Sequence, residues 1–181
     1  IVEGDKLGTR EGRVEINLGR NNFLRLEADS QVDFETLPKR GNDLISIHLL
    51  SGAAYLRVSQ MEMEKEIEIH TPDGSFYVLA EGLYRLDVAE GETVILSLEG
   101  EVEAAGETGY KILSRGEMLR VSEGYFMTEG GGSLNVASGM SGESFADWNR
   151  SRDSFYGRSG SRSYLPADLH EYEAELAYYG R

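Results

Sequence analysis

Apolar residues recur with a period of two through most of the chain before residue 130, the spacing that places them on one face of a strand. Val14, Ile16 and Leu18 alternate with Glu15 and Asn17, and Ile45, Ile47 and Leu49 with Ser46 and His48. Tyr84, Leu86 and Val88 alternate with Arg85 and Asp87, and Val94, Leu96 and Leu98 repeat the pattern. Shorter examples are Val32/Phe34, Leu56/Val58, Ile67/Ile69, Val102/Ala104, Tyr110/Ile112 and Leu119/Val121. Turn signals fall between them: Gly19-Arg20-Asn21, Gly41-Asn42-Asp43, Pro72-Asp73-Gly74, Glu90-Gly91, Gly100-Glu101 and Arg115-Gly116. About a dozen short strands punctuated by glycine predict an all-β fold, a two-sheet sandwich or a flattened β-coil. No helical period occurs in this stretch.

The pattern changes after residue 129. Gly130-Gly131-Gly132-Ser133 and Ser138-Gly139-Met140-Ser141-Gly142 have the composition of a linker. Beyond it, Ser144 and Asp147 have capping-box spacing, and Phe145, Trp148 and Phe155 share a helical face with Arg152 between them. Gly157 is a natural stop. A second helix is expected from Pro166 and Asp168 through Leu169, Tyr172, Leu176 and Tyr179, closed by Gly180. The expected organisation is therefore a β-domain over 1–129, a linker over 130–142 and an aromatic, partly helical tail over 143–181. Residues 143–181 hold eight of the 17 aromatics, too many for a disordered tail, so the tail is expected to dock on the β-domain or on a partner.

Charge sharpens this division. The chain carries 18 Lys+Arg against 32 Asp+Glu, a formal net charge of −14. The tail holds seven acids and five bases, net −2, which leaves −12 upstream. So acidic a surface repels phosphate backbones and argues against nucleic-acid binding. The absence of cysteine removes disulfides, thiolate metal sites and a cysteine nucleophile. No apolar run approaches the roughly 20 residues that span a bilayer. Because the first residue is Ile1 and not Met, a targeting segment is expected to have been removed or left out.

Three stretches resemble a FecR domain. The first runs from Gly12-Arg13-Val14-Glu15-Ile16 through Asn22-Phe23-Leu24-Arg25-Leu26 to Ser30-Gln31-Val32. The second, Ile45 to Val58, is similar to the family's central hairpin with Gly52 at its turn. The third starts at Ile67-Glu68-Ile69-His70-Thr71-Pro72, includes Gly82 to Val88, and continues through Gly100-Glu101-Val102 to Arg115-Gly116-Glu117. Together they cover roughly 12–128. The tail is similar to a region that follows FecR domains in some outer-envelope proteins, carried by Phe145-Ala146-Asp147-Trp148-Asn149, Arg152-Asp153, Tyr164-Leu165-Pro166 and Tyr179-Gly180-Arg181. In that architecture the chain runs on into aromatic-rich repeats. The resemblance implies an all-β domain beyond the inner membrane, periplasmic or outer-envelope/extracellular, with no cofactor and no catalytic residues. In its best-known members this module relays a signal from an outer-membrane receptor to a cytoplasmic sigma factor.

Candidate chemistry adds little. His48, His70 and His170 are far apart in sequence, although His48 and His70 can meet across a sheet. At strand spacing Glu62, Glu64, Glu66 and Glu68 would share a face, as a calcium ladder or, more plainly, as charged edge protection. Ser138, Ser141, Ser159 and Ser161 lie near glycines, but none completes a nucleophile elbow. Acids are so abundant that a two-carboxylate pair cannot be singled out. No phosphate-binding loop precedes a Lys-Ser or Lys-Thr pair.

The expected function is a non-enzymatic, extracytoplasmic protein-interaction domain in bacterial envelope signalling or assembly, its partner an envelope protein or a second copy. The alternatives are a carbohydrate-binding module stacking sugars on Trp148 and Tyr164, or a self-associating surface or filament subunit. The expected partner-binding residues are Trp148, Arg152, Phe155, Tyr156, Tyr164, Tyr172 and Tyr179, because Tyr, Trp and Arg are favoured at interfaces. The competing reading is that the tail's arginines (Arg150, Arg152, Arg158 and Arg162) pair with the acidic β-domain.

Overall fold

This computed structural model of the chain describes residues 1–127 and 143–157. The period-two segments form β1 (Lys6–Gly8), β2 (Val14–Gly19), β3 (Asn22–Leu26), β4 (Gln31–Thr36), β5 (Ile45–Val58), β6 (Ile67–His70), β7 (Ser75–Val78), β8 (Gly82–Ala89), β9 (Glu92–Glu99), β10 (Val102–Gly106), β11 (Gly109–Leu113), β12 (Met118–Ser122) and β13 (Tyr125–Met127). One helix, α1 (Glu143–Gly157), follows. Among the described residues no helix is long and apolar enough to cross a membrane.

The strands form one curled sheet whose halves share β5. One half runs β1-β4-β5-β6-β7-β10-β11 and the other β2-β3-β5-β8-β9-β12-β13. All pairings are antiparallel except β5 with β6. Inward-facing residues of both halves meet in one core, with Phe34, Ile47, Ile69 and Phe76 from one and Leu24, Leu56, Leu86 and Ile95 from the other. The two layers expected from the alternation are thus present, as a single curled sheet.

Residues 45–58 are one 14-residue strand and not the expected hairpin. Gly52 does not reverse the chain. It takes φ +90°, and a Cβ there would lie 2.3 Å from Ser30 Oγ. The residue lets β5 bend and pass from one half of the sheet to the other, a corner only glycine fits. The β2–β3 turn, by contrast, is a tight reversal with Arg20 and Asn21 both at positive φ.

One further expectation is corrected, and two strands turn their alternating residues away from the core. Glu62–Glu66 form a loop and not a strand, so no Glu ladder exists. Buried Glu66 organises that loop, accepting from the amides of Glu62 and Met63 and from Arg20 Nη1. Tyr110 and Ile112 do share a face, but it is the exposed one, because Leu113 supplies the core contact of β11. In β9, Ile95 faces the core, while Val94 and Leu96 register with Asp87 and Arg85 on the opposite face.

Buried Asp73 also ties the halves together. Its Oδ2 accepts from Thr93 Oγ1 at 2.8 Å and its Oδ1 from the Glu123 amide at 3.1 Å. This joins the β6–β7 turn to β9 and to the β12–β13 turn.

Candidate functional site

The outer face of the second half-sheet carries α1. Register explains its composition. Phe23 pairs with Arg57, Arg25 with Tyr55, and Tyr55 with Arg85, so residues at alternate positions on β3, β5 and β8 form one continuous strip. Glu15 on β2 lies opposite Arg25 at its edge. Alternation would leave these side chains in water. Instead Arg25 is fully buried and Arg85 nearly so.

The helix binds this strip at two places. At its N-terminal end, fully buried Phe145 enters an apolar seat made by Ala53, Tyr55 and Leu83. Its ring centroid lies 4.8 Å from that of Tyr55, and the Trp148 ring stacks on it with centroids 6.1 Å apart. Arg13 and Arg85 approach the Phe145 ring at 5.6 and 5.9 Å as cation–π partners. Burying one Phe of this kind contributes about 1.5–3 kcal/mol. Ser144 is a helical residue here and not a cap; its Oγ accepts from Arg13 Nη2 at 2.6 Å.

The C-terminal half is held by charge. Arg25 Nη1 donates to Asn149 Oδ1 at 2.5 Å and to Asp153 Oδ1 at 2.6 Å. Asp153 Oδ2 accepts from Arg57 Nη2 at 2.6 Å, so one carboxylate straddles two arginines. Glu15 does the converse: its Oε1 accepts from Arg152 and from the Tyr156 hydroxyl, and its Oε2 from Arg25 Nε. Tyr156 also stacks on Phe23, with ring centroids 4.6 Å apart. Burial pushes the Glu15 carboxyl up, but hydrogen bonds from Arg152, Tyr156 and Arg25 outweigh it and hold the group below the usual carboxylate range. Burial, reinforced by the Glu15 charge, raises the Tyr156 phenol to about 12. Burial pulls Arg57 down, yet Asp153 and Glu99 hold it more firmly protonated than usual.

Of the expected partner-binding residues, Trp148, Arg152, Phe155 and Tyr156 therefore gather on one helix docked to its own β-domain. Tyr164, Tyr172 and Tyr179, like the expected second helix and the linker, lie outside the described residues. Arg152 pairs with Glu15 of the β-domain, as the competing reading has it, while Arg150 pairs with Asp147 along the helix. Sequence reading missed the receiving residues Glu15, Arg25, Arg57 and Arg85. Their only signal is that three arginines occupy outward positions on strands that turn out to be neighbours. His48 and His70 are register partners on β5 and β6, but their rings contact Glu35, and Glu68 with Ser75. Among the described residues no cluster of three or more His, Asp or Glu is arranged to hold a metal ion.

Comparison with known proteins follows the same lines. Two crystal structures of a proposed anti-sigma factor from Parabacteroides distasonis, at 2.50 and 1.65 Å, share the fold with a TM-score of 0.59 at 15% and 14% identity. The alignment covers 73% of this chain and 62% of theirs, so the chain spans less than two thirds of that protein's length. No curated protein matches it. Residues 5–103, from β1 into β10, match the family described as FecR protein. This β-domain, with α1 seated on its outer face, belongs to the FecR family.

Proposed function

We propose that the chain is a non-enzymatic, extracytoplasmic protein-interaction domain of a bacterial envelope signalling or assembly system. The observation that carries this reading is a sheet face built to hold a helix, with buried arginines completed by a segment more than a hundred residues away. FecR membership supports a regulatory role without chemistry, and the fold is shared with a proposed anti-sigma factor. In this reading residues 1–129 are the interaction domain, 130–142 a connector and 143–181 the tail. Trp148, Arg152, Phe155 and Tyr156, with Tyr164, Tyr172 and Tyr179, form the partner-binding set, and release of α1 exposes the first four. Location is periplasmic or outer-envelope/extracellular.

The test is a pulldown from envelope extract with this chain and with the full-length protein, alongside cell fractionation. Recovery of a specific envelope protein supports the reading. No specific partner for either bait, or a cytoplasmic location, overturns it.

Self-association is the second reading, favoured by the two sheet edges. Tyr110 and Ile112 on β11, and Tyr125 and Met127 on β13, are exposed. Light scattering that shows a strict monomer at high concentration removes it.

A further inference from the structure

The fit between α1 and its seat is incomplete at one atom. Arg25 is fully buried, its Nε and Nη1 are engaged, and its Nη2 is buried with no hydrogen-bond partner among the described residues. A buried guanidinium nitrogen left unpaired costs more than a formed bond returns. The cause is chemical. Glu15 spends one oxygen on Arg152 and Tyr156 and the other on Arg25 Nε. Asn149 turns both its Oδ1 and its backbone carbonyl to Arg25 Nη1, and its remaining side-chain polar group is an NH2 donor. Arg25 Nη2 therefore remains a donor for one more acceptor, which α1 does not bring.

We infer that the outer face formed by β2, β3, β5 and β8 is a helix-receptor site whose better occupant is an acidic helical segment of a protein partner. That segment has an aromatic anchor at the position of Phe145, a carboxylate at that of Asn149 and another at that of Asp153. The choice rests on Arg25: Arg13, Arg57 and Arg85 have carboxylates of the β-domain itself in Glu27, Glu99 and Asp87, whereas Arg25 Nη2 has none, and α1 answers Arg25 and Arg57 with the single carboxylate of Asp153. In this account α1 is a resident, displaceable occupant. The inference rests on the protein-interaction reading and adds to the α1 residues a second surface, the face that α1 vacates, with the class of its partner.

An untethered helix must compete with α1, which belongs to the same chain and so acts at an effective concentration on the order of millimolar. A second copy of the same helix therefore displaces α1 only near that concentration. A helix that gives Arg25 a charge-assisted partner gains about tenfold or more and displaces it correspondingly sooner.

Trp148, the chain's single tryptophan, lies in the contact, so its emission reports displacement. Two synthetic peptides of residues 143–157 serve as probes, both with Trp148→Phe and one also with Asn149→Asp. Titrated into the intact chain, the Asn149→Asp peptide is expected to red-shift Trp148 emission at about tenfold lower concentration than its parent. On an Arg25→Met chain the two peptides are expected to become equal. A Phe145→Ala chain, whose own helix has lost its anchor, is expected to bind both labelled peptides at lower concentration in the same order, and this decides the matter if Arg25→Met does not fold. Equal potency on the intact and Phe145→Ala chains, or no binding to either, overturns the inference. A second-copy occupant shows itself as parent-peptide potency equal to or better than Asn149→Asp, which also overturns it. An envelope pulldown that still recovers a partner then leaves the broader reading standing, on another surface.

Discussion

Arg25 and Asp153 lie 128 positions apart in sequence, and Arg25 Nη1 donates to Asp153 Oδ1 at 2.6 Å. Asp153 also takes Arg57, so its carboxylate fastens α1 to two strands at once. Asp153→Ala is expected to weaken docking by about 2 kcal/mol, the scale of hydrogen bonds to charged groups. The β-sheet should survive. Trp148 emission should shift to the red with little change in far-UV circular dichroism from the strands; unchanged emission would show that the charge clamp contributes nothing.

Phe145→Ala tests the apolar half of the contact. Truncating a buried Phe typically costs about 3–5 kcal/mol. Here the loss is capped by the free energy of docking, because the helix can leave instead of tolerating a cavity. The expected result is released Trp148, faster proteolysis within 143–157 and a small change in the melting temperature of the β-domain. A fall of more than about 10 °C would mean that α1 is integral to the fold.

Docking should depend on pH at both ends. Glu15 faces Arg25, Arg152 and Tyr156, and its docked value is lowered. A lowered carboxyl contributes stability above the ordinary carboxylate range and loses it as pH falls through the docked value. Tyr156 is raised to about 12, so its contribution is present below about 10 and is lost as pH climbs towards 12. Trp148 emission should therefore hold a plateau between roughly pH 5 and 10 and red-shift on either side. Glu15→Gln should remove the acid limb; if that limb persists, another group drives it.

Gly52→Ala places a Cβ 2.3 Å from Ser30 Oγ and 2.5 Å from Ser30 Cα, at φ +90°. Both the clash and the backbone strain act at the strand common to the two half-sheets, so about 3 kcal/mol or more is expected. Urea unfolding measures it. A midpoint within error of wild type would mean that the corner relaxes freely.

Strand positions were legible in the sequence because each half-sheet buries one face, and burial of one face writes a period of two. The β5 corner was not. Ser51-Gly52 between two apolar runs has the same local signature whether the chain reverses or bends. Only the close approach of Ser30, a long-range contact, distinguishes them. The glutamate loop failed for a related reason: alternation of Glu with other residues mimics a strand, whereas a buried carboxylate collecting two amides dictates a turn. The docking stripe of α1 follows helical spacing through Phe145, Asn149, Arg152 and Tyr156. Half of it is polar, so a search for apolar periodicity finds only Phe145, Trp148 and Phe155. The receiving arginines were hidden more deeply, since outward strand positions are normally wet, and their burial is legible only once β3, β5 and β8 are placed side by side.

Sharing β5 between the half-sheets also governs how the domain comes apart. A sandwich of two separate sheets can lose one layer first. Here residues 45–51 pair with β4 and β6, and residues 52–58 with β3 and β8, so neither layer can open without exposing bonds of the same strand. Opening should therefore be all-or-none, and the amide protons along Ile45–Val58 should be the last to exchange with solvent deuterium, at a rate set by global unfolding. Those of α1 should exchange far sooner, through its own independent release. Two clocks in one chain, a slow one in the sheet and a fast one in the helix, would let the helix come and go without loosening the domain that receives it.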